Sequence, residues 1–223
     1  MRRIEAYRLR VAHAPTVAEL EPRTAGGRVI EATLRCLARW GLAKTTLEDV
    51  AREAGVGRAT LYRLFPGGRD ALIAAVVGAE VQRLFDGVAV VVTGAADLED
   101  ALVGAVVVAT AALRGHDALR VVCRDEPEVL LPHVAFGRFD RLLAVVGEVA
   151  GPLLDPWMVG TPGPERTGEA ARLAEWVARL VLSYALDPTD DLADPDTARR
   201  VIGRFVMPAV ASWPPPPLSL IHI

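Results

Sequence analysis

Lysine is almost missing from this chain. Lys44 is the only one among 25 basic residues, so arginine carries nearly all the positive charge. That bias reads as the codon usage of a GC-rich genome rather than as function. Cysteine is scarce too. Cys36 and Cys123 stand far apart in apolar helical patterns, which excludes a disulfide framework and fits two reduced, buried thiols in a cytosolic protein. The four histidines, His13, His116, His133 and His222, have none of the His–His, Cys–Cys or His–carboxylate spacings of a metal site. There is no GxGxxG following a strand, no phosphate-binding P-loop and no GxSxG. The expectation is therefore no cofactor, no metal and no enzyme. The longest apolar runs, near Ala71 to Ala79 and Ala101 to Leu113, are too short or too interrupted to cross a bilayer, and no signal peptide is visible. A cytoplasmic chain without a membrane partner is expected. Strand-like alternation and internal repeats are lacking as well.

What is present is apolar residues at helical spacing. A length of 223 residues with 52% hydrophobic content suits one large or two small domains with a sizeable core. The net charge of −3 is unevenly spread. Between Arg23 and Asp70 there are nine basic and five acidic residues, whereas residues 71–223 carry 12 basic and 20 acidic ones. A basic module joined to an acidic body suits a protein whose one end meets a polyanion.

The most informative stretch is Thr45 to Leu72, TTLEDVAREAGVGRATLYRLFPGGRDAL. Leu47, Val50, Ala51 and Ala54 form one apolar stripe at i, i+3, i+4 and i+7. Thr46 precedes the stripe and Asp49 lies three residues on, which predicts an N-cap with an acidic partner. Gly55-Val56-Gly57 then supplies a tight turn, with glycine allowing positive φ and Val56 plugging the space between two crossed helices. A second short helix is predicted from Arg58 to about Leu64. Leu61, Leu64 and Phe65 point inward. Ala59, Thr60, Tyr62 and Arg63 point outward with Arg58 on the flank, a mixture able to enter a major groove and grip phosphates.

This helix-turn-helix resembles the DNA-binding domain of the TetR family of bacterial transcriptional regulators. Thr46, Val50-Ala51, Ala54-Gly55-Val56, Leu61-Tyr62 and Phe65 carry the likeness. Gly57 stands where the family has a serine, Leu64 where a histidine or tyrosine often touches the DNA backbone, and the link Pro66-Gly67-Gly68-Arg69-Asp70 is one residue longer. The resemblance implies an all-α fold of about nine helices: a three-helix helix-turn-helix head and a helical ligand-binding and dimerisation body. It implies DNA contacts from Lys44, Thr46, Gly57, Arg58, Ala59, Thr60, Tyr62, Arg63 and Arg69. Thr46 and Tyr62 are expected on phosphate, with Lys44 and Arg69 at the edges. Arg58, Ala59, Thr60 and Arg63 are expected to face bases.

In chain order, residues 1–22 contain Arg2, Arg3, Arg8 and Arg10 and read as a flexible basic arm. Two readings of it stand: a segment tracking the DNA backbone or minor groove, or translation from an upstream start. The head is placed at 23–70, beginning with a helix from about Thr24 to Trp40 that Gly41 ends. The body is placed at 71–212. Its helices are predicted from near Arg69 to Val91, after an Asp97 cap to Arg114, from Asp117 to before Pro127, and from Pro132 to Val149. Two more are predicted over Glu165 to Leu186 and Pro195 to Val210. Gly151 to Pro164, with four prolines and three glycines, is predicted as a loop. Asp125, Glu126 and Glu128 around Pro127 read as a solvated turn. Residues 213–223 form a proline-rich tail, and Leu218 to Ile223 resemble the translation of a sequencing adapter.

Small Ala, Val and Gly side chains in the body leave room for a cavity, with Arg120, Cys123, His133, Phe136 and Trp157 as candidate groups to orient a guest. The resemblance implies a small apolar or amphipathic ligand there. It also implies a homodimer through the last two helices, with Leu173, Trp176, Val177, Leu180, Tyr184, Ile202 and Phe205 at the interface. The resulting expectation is a ligand-responsive repressor of a palindromic double-stranded operator. Two alternatives stay open: a constitutive or partner-controlled regulator, and a helical small-molecule-binding protein with a vestigial head.

Overall fold

The computed structural model of the chain describes residues 23–126, 128, 138–158, 162–186 and 190–211. Nine helices and no strand occur among these residues. They are α1 (Ala25–Lys44), α2 (Leu47–Ala54), α3 (Arg58–Leu64), α4 (Gly68–Thr93), α5 (Leu98–Arg114), α6 (Asp117–Asp125), α7 (Arg138–Leu154) and α8 (Pro164–Leu186). The ninth, α9, runs continuously through Pro195–Val201, a π-helical turn Ile202–Val206, and Met207–Ala211. The all-α expectation holds. The basic arm, the tail, His133 and Phe136 lie outside the described residues.

Local chemistry explains most boundaries. Thr24 caps α1 by accepting the Gly27 amide at 3.0 Å, and Asp97 caps α5 by accepting the Asp100 amide at 2.8 Å. Asp194 does the same for α9 through Thr197 at 2.8 Å. Two predicted ends move. Gly41 turns the chain at φ 78° but does not stop it, and α1 resumes beyond the kink to Lys44. Further on, α7 continues through Pro152 to Leu154 into a 3-10 turn, Asp155–Trp157, where a loop was expected. The reason is tertiary. A Cβ at Gly151 would lie 2.9 Å from the Ala171 backbone, so this glycine, which looked like a breaker, lets α7 lie hard against α8. Asp155 then anchors the turn by accepting Arg166 Nη2 at 2.7 Å.

Two apolar cores result. The first gathers Val29, Ile30, Val50, Ala51, Leu61 and Phe65 with Leu72, Ala75 and Val76 of α4. Phe65 is its largest fully buried side chain, and burying such a group contributes about 1.5–3 kcal/mol. The second core begins on the same helix with Val88 and Val92 and continues through Leu102 and Val106 to Ala174, Val181, Leu192, Ile202 and Val206. The boundary drawn at Asp70 therefore falls just before the residues with which α4 completes the first core.

A polar chain also joins the two. His116 caps α6 by accepting the Leu119 amide on Nδ1 at 3.0 Å, and its Nε2 lies 3.1 Å from Glu80 of α4. Arg83 pairs with Glu80 and reaches Glu31 of α1. The Glu80 carboxylate raises the His116 pKa against the opposing effect of burial, and the His116 hydrogen bond lowers that of Glu80. The histidine contribution is full below the ordinary imidazole value and is lost as pH rises through the raised one. The glutamate contribution is full above the ordinary carboxylate value and is lost as pH falls through the lowered one. A double-mutant cycle with Glu80→Gln and His116→Asn, where asparagine keeps a cap acceptor, should show coupling of about 1 kcal/mol near pH 6, fading by about pH 9. Coupling independent of pH in denaturant melts would rule out the charged pair.

Candidate nucleic-acid interface

The predicted N-cap of α2 is complete in both directions. Thr46 Oγ1 accepts the Asp49 amide at 3.2 Å, while the Asp49 carboxylate takes the Thr46 hydroxyl at 2.5 Å and its amide at 3.3 Å. The Thr46 hydrogen bond holds the Asp49 carboxyl below its ordinary pKa. At the other end of α2, Gly55 adopts φ 64°, and Val56 N–H closes on Ala51 O at 3.0 Å. Val56 packs against the first core as anticipated. Gly57 then starts α3 without any side-chain cap, the cost of having no serine there.

Because Leu61 and Phe65 are buried and Leu64 is half-buried against the same core, the opposite face of α3 is turned outward. Arg58, Ala59, Tyr62 and Arg63 are exposed, Tyr62 to 53%, and Thr60 is half-exposed beside them. Lys44, Thr46 and Gly57 are exposed on the flanks. The residues nominated for DNA are thus accessible, Arg69 among them and Thr60 in part. Two have intramolecular partners that the sequence did not announce. Arg58 pairs with Glu48 of α2 at 2.8 Å, and Arg69 donates to the Leu42 carbonyl at the end of α1. Thr46 is similarly engaged, since its hydroxyl proton is given to Asp49.

Comparison with known proteins agrees with this geometry. Residues 29–76 match the N-terminal model of the bacterial regulatory proteins of the tetR family. An HTH-type transcriptional regulator of Mycobacterium bovis is 27% identical over 169 residues, covering 76% of this chain and 83% of that one. Another, from Mycobacterium tuberculosis, is 27% identical over 186 residues, covering 83% and 85%. The chain carries a TetR-family N-terminal DNA-binding domain over residues 29–76. It is a DNA-binding transcriptional regulator, not an enzyme. Two solved structures share its fold. One is the TetR family repressor AlkX from Dietzia sp., implicated in biodegradation of n-alkanes (TM-score 0.58, 23% identity, 82% of this chain and 98% of that one). The other is the fatty acid degradation regulator FadR from Bacillus halodurans (TM-score 0.54, 16% identity, 79% and 96%).

The body of the chain departs from several expectations. Arg120 is exposed and pairs with Asp117 in its own helix, so it does not point into an apolar interior. Cys123 is half-buried on α6, with burial pushing its thiol pKa up, and Trp157 packs on the second core. None of the three lines the open apolar groove of about 370 Å³ formed by Met158, Glu169, Arg172, Leu173, Trp176, Val206, Ala209 and Val210. Of the residues expected at a dimer face, Val177 and Ile202 are buried in the chain's own core, at 7% and 0% exposure. Leu173, Leu180 and Tyr184 are half-buried against it. Trp176 and Phe205 stand out, at 44% and 64% exposure. The π turn explains Phe205: i→i+5 bonding adds a residue to the turn and rotates it off the Ile202–Val206 stripe, with Arg204 stacked 5.5 Å from its ring.

Among the described residues no cluster of His, Cys, Asp and Glu could hold a metal ion, and no single helix is long and apolar enough to cross a membrane. The sequence reading missed Thr110, fully buried on α5 with no hydrogen-bond partner for its hydroxyl among the described residues. Its signal was weak, a lone threonine in an alanine and valine run. For the interface itself, Thr46→Ala should remove the capping box and destabilise the chain by about 1 kcal/mol in urea unfolding, with Thr46→Ser recovering most of the loss. An unchanged midpoint in Thr46→Ala would contradict the cap.

Proposed function

We propose that this regulator is a cytoplasmic homodimeric repressor of a palindromic operator, released by a small apolar or amphipathic ligand. The carrying observation is the outward face of α3, with Arg58, Ala59, Tyr62 and Arg63 exposed on a helix anchored by Leu61 and Phe65. A seven-residue recognition helix offers little surface alone. Two heads about 34–36 Å apart would reach successive major grooves and supply both affinity and two-fold specificity. The groove on α8 and α9, lined in part by exposed Trp176, together with the exposed Phe205 of α9, supports a second copy as the means of pairing them.

The ligand reading draws on the composition of the second core, built from Ala, Val, Leu and Ile, and on the buried Thr110 hydroxyl of α5, which has no partner among the described residues. Buried helical threonines elsewhere in the chain give their hydroxyl to a main-chain acceptor, as Thr33 does to Val29 O at 2.7 Å. An unpaired hydroxyl in an apolar core suits a guest that brings one acceptor or donor with a hydrocarbon body. The ligand acts only if it binds the DNA-incompetent arrangement of heads better than the competent one.

Selection from random duplexes across a salt series tests the operator reading. Enrichment of a two-fold site is expected. Arg63→Ala should cost about 1–3 kcal/mol and relax one position, while Tyr62→Ala should weaken all sequences alike. Binding that stays weak and indifferent to sequence would remove the repressor. Trp176→Asp with Phe205→Asp should leave monomers in sedimentation, and a persistent dimer would move the interface elsewhere. Thr110→Val, with no ligand added, should stabilise the chain by about 1 kcal/mol. A loss of stability would show that the hydroxyl is satisfied in the resting protein.

A further inference from the structure

The carboxylate cluster after α6 is not the solvated turn that its sequence suggests. Asp125 does pair with Arg124 at the surface, at 2.7 Å, and Glu128 is exposed. Glu126, however, is half-buried and reaches 84 residues back along the chain. Its Oε2 accepts the Leu42 amide and its Oε1 the Ala43 amide, both at 2.8 Å. Its own N–H closes α6 on Val122 O at 3.0 Å, so the carboxylate is fixed to the end of a body helix.

The receiving site depends on Gly41. At φ 78° the kink turns the next two amides outward as though a new helix began, giving two orphan donors for one anionic fork. A Cβ at Gly41 would lie 2.8 Å from Glu126 Oε1, so glycine serves both the backbone angle and the approach of the carboxylate. The same few residues are gripped from the head side. Thr45 donates to Gly41 O at 2.6 Å, and Arg69 of α4 donates to Leu42 O. Thr46, the cap of α2, follows three residues after Ala43. One end of α6 is therefore bound to the segment that leads into the helix-turn-helix, while His116 at its other end holds Glu80 of α4.

We propose that Glu126 is a positioning residue that sets the angle of the head against the body, and through it the half-site spacing an operator must have. This rests on the dimeric reading above, in which two bodies are joined and each head projects from its own. A carboxylate accepting two amides fixes direction as well as distance, because both oxygens are used. Glutamine has the same shape but presents an amide nitrogen to one of the two donors, so Glu126→Gln breaks the fork without touching either apolar core.

The test uses the full chain and the half-sites selected by the wild type, placed at the selected spacing and at spacings altered by one or two base pairs. The wild type should discriminate about tenfold against altered spacing, and Glu126→Gln should lose most of that discrimination while single half-site affinity stays within about twofold. Gly41→Ala, which displaces the carboxylate from the other side, should relax spacing in the same way. Hydrogen exchange without DNA gives an independent readout: the Leu42 and Ala43 amides should exchange about tenfold faster in Glu126→Gln. Wild-type spacing preference retained in Glu126→Gln, or unchanged exchange at those two amides, overturns the proposal. A wild type that selects no two-fold site instead removes the operator reading, and the spacing role with it. Faster exchange in Glu126→Gln would then place only the head–body link.

Discussion

One helix belongs to two cores, and the rest of the molecule follows from that. α4 spans 26 residues, roughly 39 Å at 1.5 Å per residue, and buries Leu72, Ala75 and Val76 in the first core and Val88 and Val92 in the second. Each buried end is held by apolar area whose loss would cost several kcal/mol, so neither end yields before the helix as a whole moves. Its middle is bound differently, by Glu80, Arg83 and their partners on α1 and α6. Apolar burial fixes what α4 joins. Polar contacts, each worth about 1 kcal/mol or less, add to the packing of α6 along α1 where the joined parts meet.

That division explains what the sequence disclosed. The helix-turn-helix is encoded locally: a cap and its partner three residues apart, a glycine at positive φ, and a stripe at helical period all within one short window. Every one of those signals has its counterpart in the structure, and the exposure of Tyr62 and Arg63 follows from the burial of Leu61 and Phe65. The all-helical body was equally legible, since Asp97, Asp117 and Pro195 mark helix starts by chemistry that needs no distant partner.

What stayed hidden is non-local. Glu126 and Leu42 are 84 residues apart, and nothing in EPE around Pro127 distinguishes a carboxylate bound to the head from one bound to water. Gly151 and Pro152 look like breakers until Ala171 is seen against them. Val177 and Ile202 carry the same apolar signal as Trp176 and Phe205, and period alone cannot say which side of a helix meets the chain's own core. The π turn sharpens that ambiguity by shifting Phe205 away from residues with which an α-helix would have grouped it. Arg58 and Glu48 sit on different helices, so their pairing depends on the crossing of α2 and α3.

For a regulator of this kind the consequence is energetic. A head held only through a stiff helix would transmit any displacement of the body, wanted or not. Here α6 adds a second tie, His116 to α4 at one end and Glu126 to α1 at the other. Two ties, one to α4 and one to α1, fix an orientation together with the packing of α6 along α1. In the ligand-responsive reading proposed above, a guest that shifts α6 acts on the packing of Ala118 and Val122 and on these two polar ties. It has only to favour an arrangement in which one polar tie is strained, and a difference of about 1.4 kcal/mol between the two arrangements already changes their ratio tenfold. In that proposed reading, weak polar ties between strong apolar cores would let a modest binding preference in the body become a change in the aim of α3.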